Sequence, residues 1–309
     1  MSSPVSKVNE EDLEKIAIAF KDNREKLNKY VELFKEWIKS ENHLPQDLEV
    51  CFIENFIRLC KYDFEKAKSK FESYIITKHS LNHLKPEFKI EKERFERDDI
   101  SRIFVISPDL TSDLSRIFYL WGTREQSNFD YKSRQKYVID LVEWFLHLGL
   151  NVGTSFVFVL NFDCFTFQLA TKLDFAVERR FMNLTVNCLP AIIKQIHCIN
   201  VPSAAKSFIV LLKSICSEKI RNRIIIHNGI DDLKKFIPSD DLPIELNGTS
   251  GKSVEDWAKN WEHFYTQNGE VQEKIKNLHL CGEIPKNKVH LDCSAGFGAN
   301  GSFRQLQLD

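Results

Sequence analysis

Three cations stand at alternate positions, Lys219, Arg221 and Arg223, directly after a long apolar stretch, "SFIVLLKSICSE". If one helix runs through this segment, Lys219 and Arg223 lie four apart and share a face. Lys194 precedes "QIHCIN", which reads as a strand. A parallel sheet would bring Lys194 beside the pair, and the cations could then hold a phosphate through charge-assisted hydrogen bonds. The same spacing also describes a solvated helix end, where Lys and Arg suit the macrodipole. Spacing alone leaves both readings open.

Other residue types carry weaker signals. His279, Cys281, His290 and Cys293 could in principle hold zinc, but their spacings match no common site. His79 and His83 fall where a helix ends, with no acidic neighbour. His197 and His227 each sit on a predicted strand and read as satisfied core imidazoles. "GFGANG" (296–301) spells a dinucleotide fingerprint, yet only eight residues follow it. That motif needs a preceding strand, a following helix and a distant acid. "GTSGKS" (248–253) is too short for a phosphate loop, and no G-x-S-x-G elbow is present. The carboxylates of "NEEDLEK" and "PSDD" read as helix starts. These residues assign no catalytic group, no cofactor and no metal, so an enzyme is not expected.

Bulk properties narrow the partners. A formal net charge of −1 gives no global attraction to nucleic acid, so any basic site must be a local patch. The eight cysteines form no CxxC pair and read as thiols of a reducing compartment. The N-terminus is too polar for a signal peptide, and no apolar run approaches the ~18 residues of a membrane span. A cytoplasmic chain is expected, with silent N-x-S/T sites at Asn183, Asn247 and Asn300. The 24 Phe would fill a core by default, and would also suit an apolar-ligand cavity.

The elements that must position these residues fall into two groups. Residues 9 to about 80 read as amphipathic helices, with Leu27, Val31, Phe34, Trp37 and Ile38 at three- and four-residue spacings. Asp47 and Asp63 are expected to cap two of them. From about residue 100, strands "RIFVIS" (102–107), "RIFYLWG" (116–122), "TSFVFVLNF" (154–162), "QIHCIN" (195–200) and "RIIIH" (223–227) alternate with helices. The helices are predicted over 131–149, 172–187 and the apolar stretch above, with a closing helix over 253–267. Such alternation implies an α/β layer with a largely parallel sheet. The last thirty residues are loop-like.

Read in order, these segments resemble the CRAL-TRIO family, the lipid-carrier fold of retinaldehyde-binding and alpha-tocopherol transfer proteins. "HLPQDLEVCFIENFIRLCKYDFEKAKSKFESYI" (43–75) is similar to the family's N-terminal helical region. "IKQIHCINVPSAAKSFIVLLKSICSEKIRNRIIIH" (193–227) resembles its lid and basic-groove signature. "LPIELNG" (242–248) stands where the family has Leu-Pro-x-Glu-Tyr-Gly-Gly, and "GSFRQLQLD" is similar to tails of arthropod members.

The resemblance implies a bilobal α/β protein. A helical domain (1–92) would precede a lipid-binding domain (93–275) with a mobile lid helix, and then a tail (276–309). The lid would span about 202–217. The resemblance also implies one small hydrophobic lipid, tocopherol-, retinoid- or isoprenoid-like, held by Phe158, Leu160, Phe165, Phe181, Leu184, Ile196, Phe208, Leu211, Leu212 and Ile215. Beside the lid, Lys194, Lys219 and Arg223 match the family's phosphoinositide-binding positions. Ile192 and Cys60 replace two further basic positions; Lys61 adjoins Cys60, and Arg58 matches another basic position of that motif. After the central strand, Asn161-Phe162-Asp163-Cys164 lacks the family's Gly. Leu246 and Asn247 replace a Tyr and a Gly, although Asn tolerates a left-handed conformation. The implied protein is a monomeric, non-enzymatic carrier that touches membranes transiently and binds no nucleic acid. A lipid-sensing interaction module, or a phospholipid transfer protein, is the alternative.

Overall fold

The computed structural model describes residues 3–90, 100–121, 130–267 and 269–291. Four helices open the chain: α1 (Glu10–Phe20), α2 (Arg24–Ser40), α3 (Val50–Leu59) and α4 (Phe64–His79). Asn23 and Asp63 start α2 and α4 by accepting from the amides of Lys26 (2.8 Å) and Lys66 (3.0 Å). On α2 the buried stripe is Leu27, Val31, Phe34 and Ile38, and Phe34 packs against Phe56 and Phe71 of its neighbours. Asp47 does not cap α3. That helix starts two residues later than its sequence suggests, at Glu49, while Asp47 accepts from Asn277 (3.2 Å).

The α/β layer begins with a correction. Residues 100–103, partly expected as strand, form a helical turn, α5 (Ile100–Ile103), and only Val105–Ile106 remain as β1. Then follow β2 (Ser115–Leu120), α6 (Tyr131–Phe145), β3 (Ser155–Asn161), α7 (Phe167–Lys172), α8 (Phe175–Asn183) and β4 (Ile193–Ile199). The chain closes with α9 (Lys206–Ile215), α10 (Glu218–Arg221), β5 (Ile224–Ile226), α11 (Val254–Gln267) and α12 (Glu270–Ile275). The five strands lie in chain order; β2 to β5 are parallel and β1 is antiparallel. The fold is therefore α/β, preceded by a helical lobe. Among the described residues, no helix is long and apolar enough to cross a membrane.

The single helix expected over 172–187 is instead α8 followed by a π turn, Leu184–Cys188. The cause is local: Leu173 is extended and Asp174 caps a fresh helix, accepting from the amides of Ala176 and Val177. At 242–248, Asn247 is left-handed (φ 56°), as its substitution for Gly allows. Gly248 has no such latitude, because a Cβ there would lie 1.9 Å from the Leu242 carbonyl oxygen. Glu245 of the same motif caps α11, accepting from the Val254 amide (3.1 Å) and the Ser253 hydroxyl (2.6 Å). The expected 92/93 boundary, Cys293 and the "GFGANG" and "GSFRQLQLD" tail segments lie outside the described residues.

The two lobes share buried polar contacts. Asn55 donates to the Leu146 carbonyl (2.8 Å), closing the end of α6, and Tyr74 and Lys78 both donate to Glu143 of α6. Each removes an otherwise unpaired group from the interface. Residues beyond α12 fold back over the helical lobe, where Lys78 donates to the Leu278 carbonyl and Lys288 pairs with Glu72.

Candidate functional site

Alternate residues of a strand face the same way. Phe156, Phe158 and Leu160 of β3 therefore present one face, joined by Phe118 and Leu120 of β2 and by Ile193 and Ile196 of β4. Helices α6, α8 and α9 do not close down on this face completely. They leave a cavity of about 290 Å³. Phe118 and Phe158 stack at 5.2 Å across its floor, while Phe165 and Phe208 meet at 5.5 Å near its cover.

Of the ten residues expected at an apolar ligand, Phe158, Leu160, Phe165, Phe181, Ile196, Phe208 and Leu212 line this cavity. The other three lie elsewhere. Leu184 is wholly buried in the main core, where the π turn carries it away from the cavity. Leu211 and Ile215 are half-buried at the edge of the α9 stripe, packed against the smaller apolar cluster.

One part of the wall is polar, and the sequence reading missed it. Tyr131, Arg134 and Gln135 of α6 and Glu178 of α8 all face the cavity. Gln135 donates to Glu178 (2.8 Å), and its carbonyl oxygen lies 2.7 Å from Nε2 of His83. All three side chains are at least nine-tenths buried. Burial raises Glu178 to about 7, against the opposing hydrogen bond from Gln135. The available signal was Glu178 within the stripe Val177, Phe181, Met182. An acid in a first helical turn is so ordinary that it hides there. His83, without an acid nearby in sequence, reaches this one through Gln135.

The cover, α9, is weakly tied. Ala205 provides no side-chain cap, and Cys216 at the other end is extended (ψ 142°). Ile209 and Leu212 are buried beneath it, whereas Val210 on its outer side is 67% exposed. Phe167 of nearby α7 is 76% exposed. Asn187 of the π turn donates to the Ile215 carbonyl (3.0 Å), and its own carbonyl accepts from Lys70 of α4.

The basic residues are arranged differently from their spacing. The continuous helix that a shared face for Lys219 and Arg223 required breaks at Cys216; Ser217 caps α10, which ends at Arg221. Lys219 and Arg223 therefore do not share one helical face. Arg223 instead precedes β5 and donates to the Ile193 carbonyl, next in chain to Lys194, which pairs with Asp113. Lys219 is exposed. Arg58 is buried between Asp22 and Glu54, and Cys60 is buried with its thiol pushed up to about 11.

Two further histidine groups lie outside the cavity lining. His197 and His227 lie 2.9 Å apart, nitrogen to nitrogen, beside Phe236, and burial followed by the His227 charge lowers His197 to about 4. Nε2 of His197 has no hydrogen-bond partner among the described residues, which leave this core imidazole half satisfied. Glu41, His43 and Glu72 converge within 4.8 Å, but Lys288 already neutralises Glu72, which makes this an ionic tie of the C-terminal segment. His279 lies against the Lys276 carbonyl (2.9 Å) and Cys281 is exposed.

Comparison with known proteins adds lineage to geometry. Residues 115–248 match the model of the CRAL/TRIO domain, and residues 23–84 match that of the Pinta-like UBA domain. The chain is 22% identical over 227 residues to the human alpha-tocopherol transfer protein-like protein, covering 72% of this chain and 65% of that relative. Thus it spans just under two thirds of that protein's length. It is also similar to human clavesin-2, at 30% over 95 residues (30% of this chain, 29% of that protein). Clavesin-1 from Xenopus laevis matches at 28% over 96 residues, 31% of this chain and 29% of the relative.

Proposed function

From the premise that this chain is a CRAL-TRIO protein, its CRAL/TRIO domain occupying residues 115–248, we propose that it is a non-enzymatic carrier of one small hydrophobic lipid. The observation that carries the reading is the aromatic-lined cavity of about 290 Å³ between the sheet and α9. That volume sits near the lower end of the roughly 300–1,000 Å³ typical of ligand pockets. It suits a single-chain or ring-sized lipid, such as a tocopherol-, retinoid- or isoprenoid-like molecule, better than a two-chain phospholipid. Apolar burial contributes about 25 cal/mol per Å² before the costs of association.

Release requires an opening, and α9 is the element suited to it, because uncapped ends place a helix at the less stable end of a structure. Exposed Val210 and Phe167 flank this cover and would enter the membrane surface as it opens. Lys194, Lys219 and Arg223 would meet an anionic phosphoinositide headgroup there. The pairing of Lys194 with Asp113 holds that site in a partly neutralised state until membrane contact. In this reading the protein is a cytoplasmic monomer that visits membranes.

The test is transfer of radiolabelled retinol or tocopherol between donor and acceptor liposomes. Protein-dependent transfer that rises when phosphoinositide is added to the acceptor supports the carrier. Ligand-dependent capture of a protein partner without transfer would favour a lipid sensor instead.

A further inference from the structure

Glu178 occupies a costly position. Its side chain is 7% exposed, faces a largely apolar cavity, and accepts through one oxygen, Oε1, from Gln135. The second oxygen accepts no hydrogen bond among the described residues. That oxygen is not wholly enclosed by protein atoms, and in so apolar a wall it gains from a donor brought by a ligand. The orientation behind it is fixed. Gln135 directs its amide N–H to Glu178, so its carbonyl oxygen must accept from Nε2–H of His83. His83 belongs to the helical lobe, so the two lobes together hold the carboxyl at the cavity wall.

We propose that Glu178, oriented by Gln135 and His83, is the specificity-determining residue of the cavity and accepts a hydrogen bond from the hydroxyl end of an uncharged lipid alcohol. This inference rests on the carrier reading and names its ligand class. An O–H donor fits the free oxygen whether or not Glu178 holds a proton. A methyl ether offers no donor and leaves the oxygen unsatisfied. A fatty acid would bring a second carboxyl to the same place, and two such groups cannot both remain charged at close range. The neighbouring groups do not reverse this choice. Arg134, also on the wall, is already engaged, and Asp174 is committed to the amides of Ala176 and Val177.

The test uses the full chain loaded with N-phenylnaphthylamine, an uncharged fluorophore that brightens in apolar cavities. Dodecanol, dodecyl methyl ether and dodecanoic acid are compared as displacers in wild type, E178Q and E178L. Ratios are read within each protein, so changes in fluorophore affinity cancel. Wild type should prefer the alcohol over the ether by about tenfold, the scale of one hydrogen bond. E178Q, which keeps an acceptor oxygen, should retain a preference, and E178L should lose it. Equal displacement by all three compounds in wild type overturns the assignment while leaving the carrier standing. Preference for the acid also overturns it, and points to Arg134. Failure of wild type to bind the fluorophore or any displacer overturns the carrier reading, and this inference with it.

Discussion

The side chain of Asn187 donates to the main-chain carbonyl of Ile215 at 3.0 Å, fastening the C-terminal end of α9 to the π turn behind α8. Lys70 of α4 holds the same Asn187 from the other side through its carbonyl. The cover of the cavity is thereby connected to the helical lobe through one asparagine. A helix whose last carbonyls lack their own capping partners depends on such a contact.

Replacing Asn187 with Ala should therefore loosen the cover without altering the cavity. One hydrogen bond is worth about 1 kcal/mol, so retinol release should speed up roughly fivefold, with little change in global stability. Stopped-flow release into acceptor liposomes reads the rate. An unaltered rate would mean that α9 does not limit exit.

Arg58 should behave as a structural residue. Its guanidinium is buried with Asp22 and Glu54, so Arg58→Ala leaves Asp22 without its bonded cation and Glu54 with Arg24 alone. Breaking a buried pair in this way costs about 3–5 kcal/mol, which urea denaturation would register as a large drop in midpoint. A variant of normal stability that binds phosphoinositide liposomes poorly would instead give Arg58 a headgroup role.

Asp113 is expected to compete with the membrane for Lys194. Burial would raise its carboxyl, yet the hydrogen bonds from Lys194, Ser115 and Thr111, with the Lys194 charge, together outweigh this and lower it to about 2. Asp113→Asn should release Lys194 and increase binding to phosphoinositide liposomes severalfold at low salt, with the gain shrinking as salt rises. Lys194→Ala together with Lys219→Ala should decrease it. If co-sedimentation shows neither change, the cluster is a solvated surface.

The Glu178 carboxyl gives stability a defined pH dependence. Burial raises this carboxyl from the ordinary 4.5 to about 7. Folded protein thus binds more protons than unfolded protein between these values, and stability falls as pH rises through that window, by up to roughly 3 kcal/mol. His83, kept low by burial, acts in the opposite direction at the acid end, where unfolded chains take up its proton below 6.5. Denaturation of wild type and Glu178→Gln across pH should show the slope between 4.5 and 7 flatten in the variant. Parallel curves would show that Glu178 titrates normally.

Much of this molecule was legible in its residue pattern. Alternating strands and helices specified the parallel sheet, because short β-branched and aromatic apolar runs such as 154–162 contrast with longer stretches of period 3.6. Phe158 and Leu160, two apart on β3, were placed on one face by that rule alone. The misreadings have local causes. Arg102 and Ile103 fall in the helical turn that opens at Ile100, although Ile103 is β-branched, so propensity misled there. Ser217 is an effective N-cap that divides α9 from α10, and α10 ends at Arg221, which leaves Arg223 off the helix that carries Lys219. The polar wall was invisible for a different reason. His83, Gln135 and Glu178 come from three distant segments, and only tertiary packing makes them neighbours.

Native mass spectrometry of the purified full chain, with organic extraction of what it carries, tests the carrier reading most directly. The account predicts one small lipid per chain, released on denaturation and replaceable by added retinol or tocopherol. A chain that carries no lipid, takes none from liposomes and gains no mass with either compound would contradict it.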